Sequence, residues 1–213
     1  HEMAKWTESN VGNQSGRTVL VTGGNSGIGW DTTRVLAAKG AKVLLSCRNP
    51  QRGEDAIRRL RDIQPNAQVQ FLHMDLADLD SVREAAARVR SEHANLDLLI
   101  NNAGLMATPQ QRTAQGFEMQ FGVNHLGHFA LTGLLLPQLL RTPGSRIVTV
   151  SSNGHRPGKI RFDDLQWQTN YSPWAAYFQS KLANLLFTYE LQRKLSAAGS
   201  TTTALAAHPG GSK

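Results

Sequence analysis

Tyr177 and Lys181, four positions apart in Tyr177-Phe178-Gln179-Ser180-Lys181, are the side chains of this sequence best suited to moving a proton. Residues at that spacing share one face of a helix. A free phenol titrates near ~10, too high to exchange protons readily at neutral pH. An ammonium beside it stabilises the phenolate and draws it toward general acid/base work. The same ammonium can donate to a sugar hydroxyl. Upstream, Ser151 and Ser152 close an apolar run. A hydroxyl there can hold a substrate oxygen beside Tyr177. Neighbours on a strand point to opposite faces, so only one of the two can do so. His125 and His128 sit three apart, but no cysteine or carboxylate cluster of ligand spacing accompanies them, and no metal site is expected.

A glycine turn is the second chemical feature: Thr22-Gly23-Gly24-Asn25-Ser26-Gly27-Ile28-Gly29, between an apolar run and a helical pattern. Gly23 and Gly24 let the chain reverse, Gly27 lets the backbone approach a pyrophosphate, and Gly29 lets helix and strand pack closely. The free N–H groups and dipole at the helix start suit phosphate. Gly23, Asn25, Ser26, Gly27, Ile28 and Gly29 therefore read as a dinucleotide cradle. Where an NAD-selective protein ends its second strand with Asp or Glu against the ribose 2′-hydroxyl, this chain has Cys47. Arg48 and Asn49 follow, and the planar donor fork of Arg48 suits a 2′-phosphate. The expected cofactor is NADP(H).

Alternating strands and helices carry these residues. Strands are expected at 18–22, 41–47, 68–74, 96–100, 146–150 and 201–207, as continuous apolar runs. Helical periodicity marks 27–39, 50–63, 80–92 (capped by Asp78 or Asp80), 116–140 and 173–195. Apolar strands separated by helices imply an α/β fold, a doubly wound Rossmann-type parallel sheet in the order 3-2-1-4-5-6 with helices on both faces. One long irregular segment, 153–172, is rich in Gly, Pro, Asn and Asp, and loops of that length are usually functional. Its Trp167 and Tyr171, with Trp174 beyond, either rim a pocket or pack the loop.

The spacing TGxxxGIG, in Thr22 to Gly29, resembles that of the short-chain dehydrogenase/reductase family, and further matches follow in order along the chain. Asp75-Leu76 stands where that family contacts adenine, and Asn101-Asn102-Ala103-Gly104 is its NNAG, with Asn102, Ala103 and Gly104 toward the cofactor. The resemblance makes Asn124, Ser152, Tyr177 and Lys181 the catalytic set. It takes the second serine of the pair, and Asn124 would hold a water relaying protons from Lys181. His208-Pro209-Gly210 places Pro209 and Gly210 beside the cofactor. The wide stretch from Asn153 to Ala176, with Asn124 to Phe129 (NHLGHF) and Ser180 to Phe187 (SKLANLLF), is similar to the retinol-dehydrogenase-like and protochlorophyllide-reductase-like branch. That branch implies hydride transfer between NADP(H) and a bulky, apolar carbonyl or alcohol. The family also implies a homo-oligomer paired through 116–140 and 173–195, and further chain beyond Lys213, where a substrate lobe belongs. A non-catalytic NADP(H)-binding sensor is the alternative, and Ser152, Tyr177 and Lys181 speak against it. A sugar-nucleotide epimerase would carry TGxxGxxG.

Composition narrows the remaining classes. The 213 residues suit one domain, read as an arm over 1–15, opening on a tag-like His1-Glu2, and a single dinucleotide-binding and catalytic domain over 16–213. The net charge is +7, but the densest basic run (Arg48, Arg52, Arg58, Arg59, Arg61) is interleaved with Glu54, Asp55 and Asp62. That is a solvated helix face rather than a nucleic-acid stripe. The longest greasy stretch, Leu131 to Leu140, is broken by Thr132, Gly133, Pro137 and Gln138, so no membrane span is expected. The lone Cys47 excludes an intramolecular disulfide and fits a reducing, cytoplasmic setting. The partner that the resemblance implies is a small-molecule carbonyl or alcohol substrate, with no nucleic acid.

Overall fold

The computed structural model describes residues 6–210. His1-Glu2 and Gly211-Ser212-Lys213 lie outside them. Six strands, β1 (Thr18–Thr22), β2 (Lys42–Cys47), β3 (Val69–His73), β4 (Leu98–Asn101), β5 (Arg146–Val150) and β6 (Thr203–Ala207), form one sheet in the order β3-β2-β1-β4-β5-β6. Every pairing is parallel, with Val19 opposite both Val43 and Leu98. Alternation across the pleat splits the apolar strands between two cores. Val19, Val21, Val43, Leu45 and Val69 meet Ala56, Ile57 and Leu60 of α2 (Pro50–Ile63), and Ala37 of α1 (Gly27–Ala38). Leu20, Leu44, Leu72, Leu99 and Ile147 meet the helices α3 (Leu79–Glu92) and α5 (Gly127–Arg141) through Val82, Val89, Leu131, Leu135 and Leu139. Both faces of β1 and β2 are buried, which is why these strands are almost continuously apolar, whereas the edge strands β3 and β6 keep exposed positions. Asn49 caps α2, and Asp78 rather than Asp80 caps α3.

The helix expected over 116–140 is where the structure differs. Gly116 has φ +85°, and Thr113 to Phe117 close a turn, with the Gly116 amide donating to Thr113 O at 2.9 Å. Glu118, at φ −57° and ψ +133°, is still non-helical, so Gly116 belongs to the turn and not to a helix. Helical structure begins instead at α4 (Met119–Phe121), capped by the buried Glu118 carboxylate, which accepts from the Gln120 and Phe121 amides at 2.8 and 2.7 Å. A π turn, Gly122–Leu126, then leads into α5, the Gly127 amide bonding the Gly122 carbonyl five residues back. Other ends shift by one or two residues: β4 starts at Leu98, β6 at Thr203, and α6 (Pro173–Ala197) runs past Leu195. Among the described residues no helix is long and apolar enough to cross a membrane.

The irregular segment before α6 is pinned in place. Gln110 Nε2 donates to Trp167 O (2.9 Å), the Glu118 amide to Gln166 Oε1 (2.8 Å), and Gln120 Nε2 to the Tyr171 hydroxyl (2.9 Å). Trp167 is buried under Arg161, whose guanidinium lies 4.3 Å from its ring. Trp167 and Tyr171 therefore pack the loop, whereas Trp174 stays exposed beside Tyr177.

Candidate active site

The strand order reverses between β1 and β4, and parallel sheets open a crevice at the carboxyl ends of such strands. A groove of about 430 Å³ lies there, lined by the glycine turn after β1, the β2 end from Ser46 to Asn49, Met74 to Leu76 after β3, and Asn102 to Leu105 after β4. It brings together Gly23, Asn25, Ser26, Ile28, Gly29, Arg48, Asn49, Asp75, Leu76, Asn102, Ala103 and Gly104, all expected from sequence.

The glycines explain the closeness of the walls. Gly23 has φ +64° and Gly27 φ +52°, both left-handed. A Cβ on Gly29 would fall 2.1 Å from the Gly23 carbonyl oxygen and 2.5 Å from Asn102 Nδ2, so only glycine lets α1 start against β4. A Cβ on Gly27 would meet nothing within 4 Å, which leaves the first turn of α1 open to an incoming anion. At the β2 end, Cys47 is a buried thiol whose pKa burial pushes up, and it carries no acidic group. The exposed Arg48 stands beside it, and Arg52 on the first turn of α2 joins the same wall. Ser46, buried in that wall, has a hydroxyl with no partner among the described residues. An orphaned donor, open helix turn and paired guanidinium groups fit a phosphorylated dinucleotide.

The second group lies on α6. Tyr177 and Lys181 share a buried face, with Lys181 Nζ 5.8 Å from the Tyr177 ring centroid. Nζ donates to Val150 O at 3.1 Å, and burial pushes its pKa down to about 8. A Cβ built on Gly104 would lie 3.5 Å from Lys181 Nζ and 3.4 Å from Asn124 Oδ1, so Gly104 is where the groove meets the α6 face. Packing separates the two serines. Ser151 Oγ turns inward to donate to Lys181 O at 3.0 Å. Ser152, half-buried, opens the short turn Asn153–His155, accepting from the Gly154 amide at 3.1 Å. Gly154 abuts the Tyr177 ring, where an added Cβ would come within 3.2 Å of Cε1.

Asn124 is placed by the π turn, but its amide is occupied by protein. Oδ1 accepts from the Leu105 amide (2.7 Å), while Nδ2 donates to Leu105 O and Ser180 Oγ, both at 2.9 Å. Both Nδ2 hydrogens are used within the protein, so a water held by Asn124 would donate to a remaining lone pair of Oδ1 or of the backbone carbonyl, which already accepts from the His128 ring at 3.0 Å. The two histidines diverge: His125 bonds Asn184 among Phe121, Phe129 and Phe187, and His128 bonds Thr22. Pro209 and Gly210 lie exposed past β6 and do not line the groove. Sequence reasoning missed Arg52, Leu105, Val123 and Thr22 in the groove wall. Only Arg52 carried a signal, one helical turn after Arg48.

The family model for short chain dehydrogenase matches residues 17–213. Retinol dehydrogenase 13 of Homo sapiens is 52% identical over 196 residues, covering 92% of this chain and 59% of that protein. An uncharacterised protein from Mycobacterium paratuberculosis, solved as a crystal structure, is 52% identical with a TM-score of 0.87, over 96% of this chain and 72% of that one. A protein described as a short chain dehydrogenase from Escherichia coli CFT073, solved with NADPH, is 26% identical with a TM-score of 0.75, over 93% of this chain and 78% of that one. The chain spans about three-fifths of the length of the curated relatives it matches.

Proposed function

We propose the following for a chain that belongs to the short-chain dehydrogenase family: it is an NADP(H)-dependent oxidoreductase acting on a bulky, apolar carbonyl or alcohol. The observation that carries this reading is the meeting, at Gly104, of the dinucleotide groove with Lys181 and Asn124. Similarity to a retinol dehydrogenase and to an NADPH-bound relative supports the substrate and cofactor classes.

Gly23 to Gly29 would hold the pyrophosphate, Asp75 and Leu76 the adenine side, and Lys181 a ribose hydroxyl. Bound there, NADP(H) supplies or accepts the hydride. Tyr177 gives its hydroxyl proton to the substrate oxygen in reduction and takes one in oxidation. Ser152 donates to that oxygen and fixes it beside Tyr177. Asn124 holds the Asn102–Leu105 segment in place through its two Leu105 bonds.

The cofactor preference rests on Arg48 and Arg52 standing where an acidic residue would repel a 2′-phosphate. A charge-assisted contact contributes roughly 1.5–3 kcal/mol, or about one to two decades in affinity. In calorimetry Arg48→Ala is expected to weaken NADP+ by that much and leave NAD+ nearly unchanged, while Cys47→Asp reverses the preference. Equal affinity of the parent for both cofactors would overturn the assignment. Pairing of two copies through α5 and α6 also belongs to this reading. It is supported by an apolar groove between them that leaves Phe129, Phe162 and Leu186 exposed, and light scattering showing a monomer would count against it.

A further inference from the structure

Thr22, His128 and Asn124 form a buried chain of hydrogen bonds, and the proposed chemistry gives Thr22 and His128 no part. Thr22 closes β1 just before the glycine turn. Its hydroxyl oxygen accepts from the amides of Asn102 at 2.9 Å and Ala103 at 3.0 Å. His128, 1% exposed in the first turn of α5, puts Nε2 2.8 Å from that hydroxyl and Nδ1 3.0 Å from the Asn124 carbonyl oxygen. Asn124 then donates to Ser180 Oγ, which donates to Tyr177 O at 2.7 Å. A continuous path thus runs from the nucleotide groove to the α6 face.

Counting protons fixes the state of the ring. A carbonyl only accepts, so Nδ1 carries a hydrogen. The Thr22 hydroxyl has two lone pairs and one hydrogen, and two amides occupy the lone pairs. Its hydrogen chooses between Nε2 at 2.8 Å and Ile100 O at 3.4 Å, and the shorter bond wins. Nε2 is therefore the acceptor. An imidazolium would press an N–H against an oxygen with no lone pair left. Burial acts in the same direction, pushing the ring's pKa down to about 4, with Lys181 and His125 adding repulsion.

We propose that His128 is a positioning residue: as the Nδ1–H tautomer it ties the end of β1 to the π turn, and so fixes the nucleotide groove relative to the Tyr177–Lys181 face. π turns are rare and gather at functional sites, so one needs a tertiary hold. The linkage itself is independent of the proposed function; only what the two sites do rests on that reading.

Ring-nitrogen NMR of the parent protein is expected to show the Nδ1–H tautomer from pH 8 to pH 5. An Nε2–H tautomer or an imidazolium in that range overturns the proposal. His128→Phe keeps a ring but loses both bonds, and is expected to weaken NADP+ at least tenfold in calorimetry, with His128→Gln recovering much of the loss. Unchanged affinity in His128→Phe overturns it. A parent that binds no nucleotide defeats the functional reading instead, and the NMR result then decides this one. Should His128→Phe not fold, Thr22→Val cuts the chain at its other end. It is expected to move the Nε2 resonance of His128, and an unmoved resonance overturns the linkage.

Discussion

Replacing Lys181 by methionine is expected to stabilise the protein at neutral pH while weakening nucleotide binding. Lys181 is 5% exposed, and among the described residues its ammonium donates to one acceptor, Val150 O at 3.1 Å. Desolvation lowers its pKa from 10.5 to about 8. Because the folded value lies below the unfolded one, the unfolded chain binds the proton more tightly. Stability therefore falls as pH drops from 10.5 to 8, and the whole penalty stands below 8. At about 1.4 kcal/mol per pKa unit, that penalty is about 3 kcal/mol at pH 7. Methionine removes the charge and keeps a long flexible chain. Losing the bond to Val150 O costs about 1 kcal/mol. The net gain is about 2 kcal/mol at pH 7, or a Tm rise of about 4–8 °C for a chain of this size. At pH 10 less than about 1 kcal/mol of the penalty remains in the parent, so the two proteins converge. Urea unfolding at both pH values measures this, with NADP+ calorimetry alongside to register the lost ribose donor. A variant less stable than its parent at pH 7, or equally stabilised at pH 7 and pH 10, would refute the reasoning.

Two further outcomes separate binding from chemistry. Tyr177→Phe removes only the hydroxyl from a buried ring and should abolish turnover while NADP+ affinity stays within about twofold of the parent, since the proposed reading gives the ribose to Lys181; turnover near the parent's would remove Tyr177 from the mechanism. Gly29→Ala sets a Cβ 2.1 Å from the Gly23 carbonyl oxygen, a backbone atom that cannot swing away. Overpacking of that kind costs about 1–3 kcal/mol, so urea unfolding should shift by that amount and nucleotide affinity should fall with it; an unchanged midpoint would mean the turn is looser than its geometry implies.

Local grammar in the sequence reaches far into this protein. The order β3-β2-β1-β4-β5-β6 follows from apolar strands alternating with helices, because right-handed crossovers leave few ways to bury both faces of a parallel sheet. The cradle from Gly23 to Gly29 is legible because positive φ and close backbone approach admit almost no other residue. The shared face of Tyr177 and Lys181 is a matter of helical spacing. Tertiary contacts decided the rest. The apolar periodicity of 116–140 reads through a π turn without registering it, since one widened turn barely alters the pattern of buried positions. Alternation sends Ser151 and Ser152 to opposite faces, and only the fold shows that the Lys181 carbonyl, 30 residues away, holds the Ser151 hydroxyl. His128 lies 106 residues from Thr22, and in the sequence it reads only as one of two histidines from which no metal site is expected. Its role depends on which polar groups are buried together and must satisfy one another. Backbone permission and periodicity are local and so can be read along the chain, whereas the pairing of buried donors and acceptors exists only once the sheet has brought distant residues into contact.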